Sequence, residues 1–368
     1  MLDIFETLVA FDTTTPDQSG CLDWIANFLI DLDFDIEWLN AGTIRNLYAT
    51  KRFGSQPICL FAGHTDTVSV GQSDHWFHNP HEMHRRDDKL IARGAVDMKG
   101  AIAAILEAYR TAVKSPACSF GILLTANEEG YANGLGTEHA VSVLKKRHEP
   151  IDWVINGEPT SQTQIGDCIK LARRGSLSAE ITIHGKQGHV AYPELAINPN
   201  RHMLDFLTHC SQMPWGQSQA SDSGKTSLQV VSLTSGTGFD NVIPAQATCL
   251  LNWRYTVDLN VSELTAWVEA QLNGLNIPYA IDWRHSAKPY QALPGPLLKK
   301  LTQILADKNI PSVISSSGGT SDARYLIDLT DNLVELGLIH QTAHQVNEYT
   351  TLEYLTTLSE IYSAILNQ

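Results

Sequence analysis

The chain has 368 residues, 43% of them hydrophobic and 18% charged, with a formal net charge of −14 at pH 7. That length exceeds what a single core usually organises, so two domains are expected. The acidic balance argues against nucleic acid or anionic membrane as a partner, since both need a basic face, and a small anionic substrate would require a local basic pocket.

The opening residues Met1-Leu2-Asp3-Ile4-Phe5-Glu6 lack the basic n-region and small-residue cleavage site of a secretory leader. No apolar run approaches membrane-spanning length. Cys21, Cys59, Cys118, Cys168, Cys210 and Cys249 are scattered without a C-x-x-C pair, which fits reduced, buried thiols in a cytoplasmic protein.

Apolar residues at helical spacing predict a helix over 23–32, and Ile58 to Ala62 reads as a buried strand ending at Gly63-His64. A helix over 98–113 follows, then buried strands over 120–124 and 153–155. Strands alternating with helices predict a largely parallel α/β sheet, whose ligands gather beyond the carboxyl ends of the strands. His64, Glu128, Glu129 and Glu158 all fall just after such strands.

The pattern changes near Gly175. Leu177, Ala179, Ile181 and Ile183 alternate with Ser178, Glu180 and Thr182, as in a strand with one face in water. Strands over 228–233, 248–255 and 279–283, with helices over 201–213 and from a Ser262 cap to Leu272, extend this into an inserted α+β domain over 176–288. Helices over 296–308 and 352–366 return the chain to the first domain, which comprises 1–175 and 289–368.

Seven acids and imidazoles from five places could build one metal site. Residues two apart at a strand end point the same way, so His64 can bind a metal with Asp66 beneath it; a strand-end His bonded to a turn Asp has the same spacing. Asp97 lies between glycines just ahead of a helix, where it could bind metal or cap the helix. The Glu128-Glu129 pair is more telling, because two adjacent carboxylates in a pocket repel unless a cation sits between them. Glu158 follows a strand, and His344 would have to return from the far end of the chain. Imidazole and carboxylate donors without thiolate suit zinc or a similar divalent ion that activates water.

Other signals point elsewhere. His75, His78, His81 and His84 recur every three residues in a polar loop, which reads first as solvated and second as an adventitious metal site. His340 competes with His344, and the Gln-Val-Asn-Glu that follows favours His344. Gly224-Lys225-Thr226 resembles the end of a phosphate loop, but Gln219 stands where the earlier glycine is needed. No G-x-S-x-G elbow is present.

Taken in order, His64-x-Asp66, Asp97, Glu128-Glu129, Glu158, Arg173 to Leu177, Thr182 to Pro193, Asn241 to Pro244, Arg254, Ser317 to Asp322 and His344 to Glu348 resemble one family over nearly the whole chain. It is the dizinc amidohydrolase and metallopeptidase family of desuccinylases, deacetylases, aminoacylases and carboxypeptidases. The resemblance implies an α/β, zinc-peptidase-like catalytic domain with a mostly parallel central sheet, and an inserted α+β dimerisation lid. It implies two Zn2+ per subunit, replaceable by Co2+ or Mn2+: one on His64 and Glu158, one on Glu129 and His344, with Asp97 bridging. Asp66 would orient His64, Glu128 would be the general base, and a cis peptide would follow Asp97. His189 would reach across a homodimer to the substrate carbonyl. Arg174, Tyr192, Asn241, Arg254, Gly319 and Thr320 would hold a small anionic acylated amino acid, and the planar arginine fork suits its carboxylates. Asn127, Asp240 and Gly130-Tyr131-Ala132-Asn133 depart from the family pattern without removing a ligand; Asp240 adds a negative charge to a carboxylate-binding loop.

Overall fold

The computed structural model describes residues 1–15, 19–112, 116–130, 134–213 and 225–367. Val113, Tyr131, Ala132, Asn133, Gln219 and Gly224, named above, lie outside the described residues. The chain forms two compact units, Met1–Leu171 with Ala292–Ser315 and Ser321–Gln368, and Ala172–Gln291 with Ser316–Thr320. The short piece 316–320 therefore clusters with the second unit, where sequence boundaries leave it with the first.

The first unit is built on an eight-stranded sheet in the order Asp35–Trp38, Asn46–Lys51, Ser119–Thr125, Ile58–His64, Ile151–Asn156, Leu333–Glu335, Cys168–Lys170, Val313–Ser315. Its centre is parallel, because the helices Lys99–Thr111 and Thr137–Lys146 supply the crossovers that parallel neighbours need. Asp35–Trp38 and Asn46–Lys51 have only a short link, so they pair antiparallel; 46–51 also pairs antiparallel with 119–125, and 333–335 with 168–170. The sheet is thus mixed: parallel through the site-bearing strands, antiparallel across 35–38, 46–51 and 119–125 and between 333–335 and 168–170, and parallel again at the edge pair 168–170 and 313–315. Helices cover both faces, so Ser119–Thr125 is buried along its whole length instead of alternating. The C-terminal helix Leu352–Asn367 is pinned by Tyr362, whose hydroxyl donates to the Leu336 carbonyl at 2.6 Å. Truncating a fully buried side chain such as Leu60 or Leu358 to Ala costs about 2–5 kcal/mol.

The second unit carries a four-stranded antiparallel sheet in the order Ser227–Ser235, Gln246–Tyr255, Gly175–His184, Tyr279–Ala287. Leu177, Ala179, Ile181 and Ile183 face a core shared with Phe206 of helix Pro199–Gln212 and with Val268 and Leu272 of helix Val261–Gly274. Asn198 and Asn260 cap these helices by accepting the backbone N–H of Asn200 and Ser262, so Asn260 takes the capping role that spacing gave to Ser262. Among the described residues, the outer strand 227–235 has one neighbouring strand, and it leaves Val230, Val231 and Leu233 about half exposed. Among the described residues, no helix is long and apolar enough to cross a membrane.

Candidate active site

His64 is the last residue of its strand, Glu128 and Glu129 follow Ser119–Thr125, and Glu158 follows Ile151–Asn156. These strands are parallel neighbours, so their carboxyl ends open on one edge and bring the side chains together. Gly157 makes the approach of Glu158 possible, since a Cβ there would come within 2.4 Å of the Phe61 ring. Asp97 arrives on the segment before helix Lys99–Thr111; Gly94, at φ 77°, turns that segment, and the Asp97–Met98 peptide is cis. Asp97 does not cap the helix, whose N-cap is Met98.

Asp97 presents its two oxygens to two imidazoles. Oδ1 lies 3.2 Å from His64 Nε2, and Oδ2 lies 3.2 Å from His344 Nε2. His64 Nε2 is also 3.5 Å from Glu158 Oε1, while His344 Nε2 is 2.7 Å from Glu129 Oε1. Three groups result whose donor atoms lie within 4.8 Å of one another: His64–Asp97–Glu158, Asp97–Glu129–His344 and His64–Glu128–Glu129. They differ in access, for the His64 side chain is 2% exposed and that of His344 49%.

Asp66 acts here in two ways. Its backbone carbonyl accepts from His64 Nδ1 at 2.9 Å, which places the hydrogen on Nδ1 and leaves Nε2 free to bind an electrophile. Its carboxylate, 3.6 Å from Nδ1, accepts the backbone N–H of Glu128 at 3.1 Å and of Glu129 at 3.0 Å. The imidazole is thus oriented most closely by the main chain, and the side chain fixes the turn that carries the glutamate pair.

The electrostatics are those of crowded carboxylates. Burial pushes Glu128 well above the usual carboxylate range, and the charges of Glu158 and Asp322 add to it. Burial likewise pushes Asp66 up to about 6. Burial works against charge on His64, but hydrogen bonding to Asp97 and Glu158 outweighs it and raises that imidazole. Bonds to Asp97 and Glu129 push His344 up to about 10. Asp97, despite its burial, is held well below the usual range by the two imidazoles. Oxygen and imidazole donors, no thiolate, and a carboxylate whose two oxygens face two different imidazoles fit divalent metal binding.

The remaining sequence-predicted residues lie in the second unit. His189 forms the two-residue strand Gly188–His189, paired with Val242–Ile243, and its ring meets Tyr192 edge-on at 5.7 Å. Its Nδ1 accepts the Ala191 N–H at 3.1 Å, so Nε2 carries the hydrogen and can donate. Asn241 accepts the Val190 N–H through its backbone carbonyl at 3.1 Å. Arg174 donates to the Lys225 carbonyl at 3.2 Å, and Arg254 to Asn252 Oδ1 at 3.2 Å. Burial, together with the neighbouring Arg254 charge, lowers the Arg174 pKa. Gly319 is held through its carbonyl by Arg173 at 3.0 Å, with Thr320 beside it in the same segment.

None of His75, His78, His81, His84 or His340 joins a metal-binding group among the described residues; His78 pairs with Glu82 at 2.9 Å. Sequence reasoning gave no role to Arg93, Asp322 or Glu348. Asp322 is buried within reach of Glu128, and Arg93 and Glu348 form a buried ion pair at 2.7 Å. The Gln-Val-Asn-Glu run marked His344 in the sequence, but an acid four residues past a ligand looks like any surface charge, so spacing did not reveal what Glu348 binds.

The pattern of peptidase family M20/M25/M40 matches residues 60–368. The succinyl-diaminopimelate desuccinylase of Alkalilimnicola ehrlichii is 38% identical over 371 residues, covering 100% of this chain and 98% of that one. That of Nitrosococcus oceani is 38% identical over 369 residues, covering 99% and 97%. Aminopeptidase PepT from Bacillus cereus has a similar fold, with a TM-score of 0.79 at 17% identity over 99% of this chain and 96% of that one.

Proposed function

The chain belongs to peptidase family M20/M25/M40 and is a metal-dependent amide hydrolase; on that premise we propose that it cleaves N-succinyl-LL-2,6-diaminopimelate into succinate and LL-2,6-diaminopimelate. The observation that carries the substrate is the Arg174–Arg254 pair, two neighbouring guanidiniums with no acidic partner among the described residues, in a chain 38% identical end to end to desuccinylases. In a protein of net charge −14, such a pair is a pocket for substrate carboxylates.

Two zinc ions, or Co2+ or Mn2+ in their place, would be held by His64, Asp97 and Glu158 and by Asp97, Glu129 and His344. Bound there, such ions polarise the amide carbonyl and make water acidic near neutral pH. Glu128, buried and with a raised pKa, would take a proton from the attacking water and hand it to the departing amine nitrogen. His189 donates from Nε2 to the carbonyl oxygen as negative charge develops there, reaching the site from the partner subunit of a homodimer. Arg174, Tyr192, Asn241, Arg254, Gly319 and Thr320 orient the substrate. The division of labour is a catalytic domain over 1–175 and 289–368 and a dimerisation lid over 176–288 that excludes water. The apolar outer edge at Val230, Val231 and Leu233 supports the homodimer, because such an edge invites a second strand. The role is in cytoplasmic diaminopimelate and lysine synthesis.

Asp240, exposed beside Asn241, favours a second reading, in which the acyl group or amino acid differs, as in an acetylornithine deacetylase, aminoacylase or dipeptidase. A metal-binding protein without catalysis is disfavoured by the presence of Glu128. Succinate release from N-succinyl-LL-diaminopimelate, with and without added zinc and beside N-acetylornithine, is the test. Zinc-dependent release of succinate with little acetate supports the first reading, and acetate alone moves the function to the second.

A further inference from the structure

The Arg93–Glu348 pair has no part in the chemistry above, yet it joins the two segments that supply Asp97 and His344. The buried Glu348 carboxylate collects four hydrogen bonds from one stretch of chain: Oε1 accepts the backbone N–H of Val96 at 2.7 Å and of Asp97 at 3.0 Å, and Oε2 accepts the N–H of Gly94 at 3.0 Å and Arg93 Nη1 at 2.7 Å. The same Nη1 donates to the carbonyl of Gln345, next to His344, at 3.2 Å, and Nη2 donates to the carbonyl of Ser69 at 3.1 Å. His344 and Asn347 have φ of 65° and 59°, a left-handed conformation that residues with a Cβ keep only where their surroundings hold them. Further ties run from Asn347 Nδ2 to the His75 carbonyl at 3.2 Å and from the Phe77 N–H to Asn347 Oδ1 at 2.8 Å.

Such a pair is poorly explained by stability alone. Desolvating a carboxylate and a guanidinium largely cancels their attraction, whereas a carboxylate that accepts from three backbone N–H groups and one guanidinium nitrogen fixes the position of the segment that donates to it. The two candidate metal sites also differ in what supports them. His64 and Glu158 stand at the ends of paired strands inside the sheet, but His344 stands on an irregular turn between His340–Thr342 and Tyr349–Thr351.

We propose that Glu348, locked by Arg93, is a positioning residue for the outer metal site, setting Asp97 and His344 at the separation at which Asp97, Glu129 and His344 close on a cation. Two of the three outer ligands hang on this clamp, against one of the three inner ligands, so its loss empties the outer site first. This inference rests on the two-ion reading given above.

The test is zinc content of the full-length protein by mass spectrometry after dialysis against graded chelator, for the wild type, Glu348→Gln, Glu348→Asp, Arg93→Lys and Leu358→Ala. Leu358→Ala removes buried core from the C-terminal helix without touching the clamp, and so reports what lost stability alone does to metal binding. Wild type and Leu358→Ala are expected to hold two zinc ions. Glu348→Gln and Arg93→Lys should hold one at the same chelator concentration, with the second at least tenfold weaker and Glu348→Asp in between. Retention of both ions by Glu348→Gln and Arg93→Lys at wild-type affinity, or loss of both ions together, overturns the inference. A wild-type chain that holds a single ion overturns the two-ion reading and the inference with it.

Discussion

Asp66 meets His64 through its main chain, with the Asp66 carbonyl 2.9 Å from His64 Nδ1, while its carboxylate turns to the backbone N–H of Glu128 and Glu129. One residue thereby orders two neighbours, the imidazole by its backbone and the glutamate pair by its side chain. Replacing Asp66 by Ala leaves the carbonyl in place and releases the turn. A fall in kcat of about 10–100-fold, with Asn intermediate because one acceptor oxygen survives, is expected from steady-state kinetics. An unchanged kcat in the Ala variant would show that the glutamate turn holds without this carboxylate.

As the proposed base, Glu128 is expected to serve the chemistry more than metal binding, since His64–Asp97–Glu158 and Asp97–Glu129–His344 each form without it. Glu128→Gln should lower kcat by about 10²–10⁴-fold while zinc content stays at the wild-type level. Loss of zinc in parallel with activity would instead make Glu128 a ligand.

The proposed reach of His189 between subunits has a distinctive signature in mixtures. His189→Ala and Glu128→Gln are each expected to be inactive alone. Refolded together, they should regain about a quarter of wild-type activity, because half of the dimers are mixed and each has one complete site. If His189 serves its own subunit, no mixed dimer has a complete site and the mixture stays silent.

Asp167 supplies a pH-dependent element of stability away from the ligands. Its carboxylate accepts the backbone N–H of Gln162 at 2.8 Å, Thr163 at 2.8 Å and Gln164 at 3.0 Å. Burial works against the charge, but these bonds outweigh it and hold the pKa below the ordinary value. The folded chain therefore binds this proton less tightly than the unfolded chain, so the stabilisation is complete above the unfolded value and fades as pH falls through the folded one. The Tm difference between wild type and Asp167→Asn should be widest above about pH 5 and close below about pH 3. A gap that stays constant across that range would remove the charge argument.

The outer strand of the second unit leaves Val231 and Leu233 58% and 50% exposed. If the proposed homodimer pairs through this edge, lysine at both positions should convert it to a monomer in light scattering and, with the partner's His189 lost, lower activity as well. A double variant that remains dimeric would move the interface elsewhere.

Much was already legible in the chain. Buried strands at 58–62, 120–124 and 153–155 announce themselves because both faces are covered and every position is apolar, and the half-exposed strand at 177–183 alternates because one face is wet. His64, Glu128, Glu129 and Glu158 could be singled out because imidazole and carboxylates gather after buried strands, and Asp97 and His344 because the order of the motifs along the chain resembles one metal-dependent family. The mixed character of the sheet, the Asn260 cap and the membership of 316–320 in the second unit were not legible, because each depends on which neighbour a segment meets. The same holds for Asp66, whose residue type suggested a side-chain contact to His64 while the turn geometry put its carbonyl there. The sequence alone determined which donor types the protein carries and roughly where strands end, since these follow from local composition and period. Only the tertiary structure decided that the two oxygens of Asp97 face His64 and His344, and that Glu348 clasps the segment carrying Asp97, because residues about 250 apart meet only when the parallel strands and the returning C-terminal turn are packed together.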